Sequence, residues 1–168
     1  MADNFITFSE ILPNLKQEEE AWLKDFLARP EESEFESWTD EQREAWLKEH
    51  DVDDLYDWPG FEYRFNETED WGRYLWIYAE ELGSTRLVGM AVQAFLKTFR
   101  PKDCFTLSYA ATCSKLRAGE FGGGAIFVTA DSIDEMDSAD WACEKMKIRK
   151  SRAKRIKPAR SKSKTKTK

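Results

Sequence analysis

CFTLSYAATCSKLRAGEFGGGAIFVTAD, residues 104–131, is the stretch on which the fold turns. Phe105, Leu107, Tyr109 and Ala111 alternate with Thr106, Ser108, Ala110 and Thr112, the period-two pattern of a half-buried strand. Ala125 to Thr129 is apolar and β-branched and reads as a second strand beside it. Between them stand Cys113, Ser114, Lys115, Arg117, Glu120 and three glycines, Gly122, Gly123 and Gly124. No other part of the chain concentrates so much varied side-chain chemistry.

Working outward, Ser84 is an N-cap for a helix to Phe99. Val88, Ala91, Val92, Phe95 and Phe99 form its apolar face, and Pro101 stops it. Upstream, Phe61 to Phe65 and Tyr74 to Tyr78 read as a strand hairpin. Two acidic amphipathic helices precede it. Asn14 with Gln17 is the expected cap of the first, which Arg29 and Pro30 end; Thr39 with Gln42 caps the second. Glu20-Ala21-Trp22-Leu23-Lys24 recurs as Glu44-Ala45-Trp46-Leu47-Lys48, which predicts two helices docking the same kind of face. Asn4 to Leu12 alternates too weakly to separate a short strand from an irregular lead-in. Downstream, Ser132 or Asp134 caps a last helix through Trp141 and Met146 that dissolves from Ser151.

These elements predict an α+β fold: an antiparallel sheet of about four strands packed by helices, ferredoxin-like or a related split arrangement. Residues 1–60 form an acidic helical part of one domain whose α+β core is 61–144. Residues 145–168 are expected to be a basic, disordered tail. A chain of 168 residues with 41% hydrophobic and 14% aromatic content suits one such core.

Charge divides the chain further. Thirteen Lys and Arg lie from Lys145 to Lys168 and no acid follows Glu144, so the rest carries 13 basic against 32 acidic residues, a formal −19. Arg149, Lys150, Arg152, Lys154, Arg155, Lys157 and Arg160 make the tail a candidate for non-specific nucleic-acid contact through phosphates. The acidic half is suited to a basic host protein surface or, alternatively, to imitating nucleic acid as an anti-defence inhibitor. The N-terminus, MADNFITFSE, has neither the basic nor the apolar region of a signal peptide, and no run is long enough to span a membrane; a cytoplasmic protein is expected.

Candidate chemistry is sparse. The three cysteines form no CxxC pair, and the one histidine, His50, reads as a surface or capping residue at a helix end. The Asp51–Gly60 acids lack the calcium-loop pattern, so neither metal nor cofactor is assigned. Three glycines permit close approach of a phosphate, but a P-loop opens a helix and these open a strand. Cys113 beside Lys115 is the weak catalytic candidate, since a nearby cation favours a thiolate. Adjacent strand residues nevertheless point to opposite faces. Ser114, Lys115, Arg117, Glu120 and Gly122–Gly124 together are instead a candidate ligand- or partner-binding loop.

The stretches AATCSK (110–115), GEFGGGA (119–125) and FVTAD (127–131), with WIYAEE (76–81) and FRP (99–101), resemble a group of small uncharacterised bacterial and phage proteins. The resemblance covers about half the chain and brings no activity with it. The function expected is therefore a non-enzymatic accessory protein of a phage or bacterial mobile element. An enzyme using the Cys113–Gly124 loop is the alternative. The sequence does not fix the oligomeric state.

Overall fold

A computed structural model describes residues 3–115, 118 and 120–155, the last seven as backbone only. The element order is β1 (Asn4–Leu12), α1 (Gln17–Phe26), α2 (Glu32–Ser37), α3 (Asp40–His50), a short 3-10 turn (Leu55–Asp57), β2 (Glu62–Thr68), β3 (Gly72–Ala79), α4 (Thr85–Phe99), β4 (Cys104–Cys113), β5 (Gly122–Thr129), β6 (Ile133–Asp137) and α5 (Ser138–Arg155). The fold is α+β with one antiparallel sheet, but the sheet has six strands, not about four, in the order β2-β3-β1-β4-β5-β6.

The two additional strands lie where pattern reading is weakest. β1 runs through the middle of the sheet, paired to β3 from Phe8 to Leu12 and to β4 from Asn4 to Phe8. Both its faces are partly shielded, which blurs the polar–apolar alternation. β6, IDEMD, is an edge strand, and acids on an edge discourage pairing with another chain. Within the sheet, β1, β2–β3 and β4 with the intervening helices reproduce the split β-α-β-β-α-β connectivity, and β5–β6 extend it beyond β4.

One face of the sheet carries Phe8, Leu12, Leu75, Ile77, Phe105, Leu107, Ile126 and Val128, all buried. Helix α4 closes that face with Val88, Val92, Phe95 and Leu96, and α1 lies beside α4 with Leu23 and Leu27. Trp22 stacks on Phe26 at 4.7 Å and meets Phe99 edge-on at 5.7 Å. The repeated pentapeptide does not repeat this packing. Trp46 also packs against the core, but through Phe35 and His50, and Leu47 is half-buried where Leu23 is buried.

A buried ion pair locks the two helices together. Arg100 gives Glu19 a two-pronged bond (Nε to Oε1 3.0 Å, Nη2 to Oε2 2.7 Å), and its Nη1 and Nη2 also donate to the Pro13 and Asn14 carbonyls, respectively. Glu19 is 2% exposed. The Arg100 guanidinium holds its carboxyl below the ordinary glutamate value, against the opposing effect of burial. Glu19 also caps α1 by accepting from the Lys16 N–H at 2.8 Å. Lys16 is therefore the N-cap, while Asn14, expected there, adopts a left-handed turn that brings the chain off β1. The helix ends at Phe26, before Arg29.

Other expectations are corrected by packing between distant residues. His50 is not a surface residue: it is 8% exposed and caged by Trp46 (4.2 Å), Trp58 (4.6 Å) and Phe26 (6.0 Å). Its Nδ1–H donates to the Trp46 carbonyl oxygen at 2.9 Å. The acidic spacer after Pro30 contains the short helix α2. Helix α5 continues to Arg155, so its backbone takes in the first part of the stretch expected to be disordered; residues 156–168 lie outside the described residues.

Candidate binding surfaces

A large concavity lies at the start of α4. Its construction begins with backbone bonds: the Ile6 N–H donates to the Glu81 carbonyl and the Gly83 N–H to the Ile6 carbonyl, fixing residues 81–83 against β1. Leu82 is left pointing outward, 80% exposed. Ser84 then caps α4 through its hydroxyl, which accepts from the Leu87 N–H, while its own N–H donates to the Gly60 carbonyl. Gly60 adopts φ +71°, and a Cβ there would press on Leu87 and Ser84, so glycine is required for this close approach. Across the gap, Asp51 ends α3 in a left-handed conformation. Arg86 pairs with the Asp51 carboxylate and donates to its carbonyl at 2.9 Å.

The result is a cleft of about 1160 Å³. Ile6, Leu47, Val52, Leu82 and Leu87 supply its apolar surface, and Glu44, Asp51, Asp53 and Asp57 line it with acid. Lys48 and Arg86 are the opposing cations, and Arg86 is already paired. Beside it, Arg29 stands 5.1 Å from the Tyr56 ring, and the Glu32 carboxylate next to the Tyr56 hydroxyl holds that phenol above its ordinary value. The acid density of this half is legible in the sequence; the cleft is not. The isolated aliphatic Leu82 among Glu80, Glu81 and Gly83 is the local signal that marks it.

The candidate binding-loop residues lie at the β4–β5 connection and at the start of β5. Gly122, Gly123 and Gly124 belong to β5 and pair with Ala111, Ala110 and Tyr109. Gly124 also pairs with Asp137 of β6, and a Cβ on it would overlap the Met136 carbonyl and the Tyr109 ring. These glycines let β6 and Tyr109 close onto the sheet. Tyr109 donates its hydroxyl to Glu135 at 3.1 Å. Burial, with the Glu135 carboxylate second, pushes its phenol up to about 12.

Cys113 and Glu120 are brought together: the buried thiol donates to the carboxylate at 2.9 Å. Ser114 is occupied with the N-terminus, its hydroxyl accepting from the Asp3 N–H and its own N–H donating to the Asp3 carbonyl. Lys115 is exposed, and Arg117 lies outside the described residues. Of the basic candidates, Arg149, Lys150, Arg152, Lys154 and Arg155 are on the α5 backbone, whereas Lys157 and Arg160 lie outside the described residues. The described side chains of α5, from Ser138 to Ile148, are all exposed, and Lys145 sits 5.5 Å from the Trp141 ring.

Among the described residues no three His, Cys, Asp or Glu side chains converge as a metal site, and no helix is long and apolar enough to cross a membrane. No family model, curated protein or solved structure matches the chain.

Proposed function

We propose that the protein is a non-enzymatic binding protein whose acidic helical half receives a cationic amphipathic segment of a partner protein in the cleft between α3 and α4. The observation that carries this reading is the pairing of an apolar surface, with Leu82 80% exposed at its edge, and a lining of Glu44, Asp51, Asp53 and Asp57. A helix inserted in a groove places apolar residues on the floor and its charges on the rim. The cleft offers complements to both. A charged rim steers encounter, and the apolar floor supplies the larger share of affinity.

The probe is a synthetic Leu/Lys amphipathic helical peptide, titrated against the full chain by fluorescence anisotropy. Leu82→Gln removes exposed apolar area alone, and Glu44→Gln with Asp53→Asn removes rim charge alone. Each is expected to weaken binding by about tenfold, the rim variant with a flatter salt dependence. Equal binding by all three proteins rejects the cleft.

A second contact rests on α5, where the exposed Lys145 and Lys147 lead into the Arg149–Arg155 run on one helix. This segment contacts nucleic-acid phosphates without sequence preference. Retention on double-stranded DNA falls steeply between about 50 and 200 mM salt if so, and is lost in a chain ending at Glu144. Unchanged retention by the shortened chain removes this role.

A further inference from the structure

Helices α1 and α4 close the first face of the sheet, and the described outward residues of the second are exposed or half-buried except Tyr78, which is 6% exposed and stacked on Trp76 at 4.2 Å. Strand pairing assigns to this second face Tyr74, Trp76 and Tyr78 of β3, and Phe5, Thr7, Ser9 and Ile11 of β1. It continues through the Thr106, Ser108, Ala110 side of β4 and the Ala125, Phe127, Thr129 side of β5. Thr106, Ser108 and Ala110 are exposed, and Phe127 is 43% exposed. No outward position on these four inner strands carries a charge, in a chain that is 35% Asp, Glu, Lys and Arg. Loss of charge together with gain of aromatic residues is the compositional mark of an interface centre.

Size and charge indicate what covers it. Six strands about 4.8 Å apart, each of about eight residues at ~3.3 Å, offer on the order of 600 Å² in projection, close to the ~800 Å² per partner of a stable interface. The helical half of the body is strongly acidic and repels the same half of a second copy, so an uncharged face is where two bodies meet without that penalty. This face is where they can meet.

The strand register adds a specific complementarity. Arg64, Trp76 and Ile11 lie in one row across β2, β3 and β1. Counting on from Phe8 opposite Tyr109, the same row passes through Thr106, Phe127 and Asp134 of β4, β5 and β6. Arg64 stands over Trp76 and Tyr78 at 5.9 and 5.7 Å, and Arg64 and Asp134 are both exposed. A two-fold axis along the strands inverts the strand order, so β2 of one copy lies over β6 of the other. Arg64 then faces Asp134 of the second copy, twice. The same operation sets Trp76 over Phe127 of the second copy, aromatic on aromatic, and Phe5 over its Thr112, a large residue against a small one. A two-fold axis across the strands would instead set Arg64 on Arg64 and Asp134 on Asp134.

We infer that the uncovered sheet face is a self-association surface, on which a second copy packs sheet to sheet about an axis along the strands, with Arg64 opposite Asp134 of that copy. Aligned sheets pack about 10 Å apart with their strands within about 30°, which this arrangement satisfies.

Sedimentation equilibrium of the full chain over a concentration series tests it. The wild-type chain is expected to be a dimer. Ser108→Lys, an exposed substitution near the axis, should weaken the dimer by at least about 100-fold through like charges brought together in a dry interface. Circular dichroism checks that the fold is kept. Arg64→Asp should weaken it too, and Arg64→Asp with Asp134→Arg should restore it, which decides the matter even if Ser108→Lys fails to fold. A wild-type monomer overturns the inference. So does a dimer indifferent to Ser108→Lys, or a charge exchange that restores nothing. A monomer that binds single-stranded oligothymidine and loses it on Trp76→Ala also overturns it, making the face a base-stacking platform.

Discussion

The two faces of the sheet share the same strands and hydrogen bonds yet hold opposite chemistry. The covered face is aliphatic and aromatic and is closed by α1 and α4; it carries the half-buried Glu10 and Arg73, and beside it the buried Glu19 has both carboxylate oxygens bonded to Arg100. The uncovered face is hydroxyl-rich and aromatic and has no charge on its inner strands, although water would accept charge there without penalty. The contrast teaches that charge is scarce on the two faces for different reasons. On the covered face scarcity follows from burial under α1 and α4; on the inner strands of the other, none of the described helices accounts for it.

Breaking the covered side should have the largest effect. Arg100→Ala leaves the Glu19 carboxylate buried and unpaired, with an expected loss of about 3–5 kcal/mol in denaturant unfolding. Leu107→Ala, under α4, is expected to cost about 2–5 kcal/mol. The outward neighbour Thr106→Ala is expected to stay within about 0.5 kcal/mol for the monomer. Equal costs at 106 and 107 would erase the distinction between the faces.

At the sheet edge, Gly124→Ala forces β6 and Tyr109 away from β5, and a loss of about 1–3 kcal/mol is expected. Gly122→Ala, whose Cβ would only touch the Ser138 hydroxyl, serves as its control.

Proton linkage sharpens the comparison with smaller effects. Glu19 titrates below its unfolded value, so its contribution is fully present above the unfolded glutamate pKa of about 4.3 and is lost as pH falls through the lower folded value. Stability measured across pH 5 to 2 should lose this contribution in the wild type and show no such loss in Glu19→Gln. Tyr109 has the reverse sign: its phenol is raised to about 12, so the neutral form stabilises the fold up to about pH 10 and that stability fades as pH rises toward 12. Absorbance titration at the tyrosinate band should show a last phase near pH 12 that Tyr109→Phe removes, after Tyr56 and Tyr78, whose phenols are also raised.

Much of this architecture is legible before any coordinates. Val88 to Phe99 as a helix face, Thr39 with Gln42 as a cap, and the alternation from Phe105 to Ala111 are local patterns, and local patterns survive folding. β1 is obscured because its neighbours, residues 75–79 and 109–113, decide which of its side chains are buried. His50 reads as a surface or capping residue only if Phe26 and Trp58 are left out. The cleft joins residues 6, 44–60 and 82–87, and no window of sequence contains its apolar floor and acid rim together. Leu82 and the acids are individually visible; their convergence is a product of the β1–Glu81 and Gly83–Ile6 bonds.

The central position of the first strand also bears on how the chain is made. Ribosomes deliver Phe5 long before Thr112, its partner across the sheet, and at about 5–20 residues per second the interval is roughly 5–20 s. During that interval the β2–β3 hairpin can close and dock on β1, since β3 is complete at Ala79, which leaves only the β4 side of the N-terminal strand unsatisfied. The sheet can therefore grow outward from its first-made strand, with β3 added on one side and β4 on the other. Synthesis paused before residue 104 would leave that one edge open on a nascent chain dependent on holding factors.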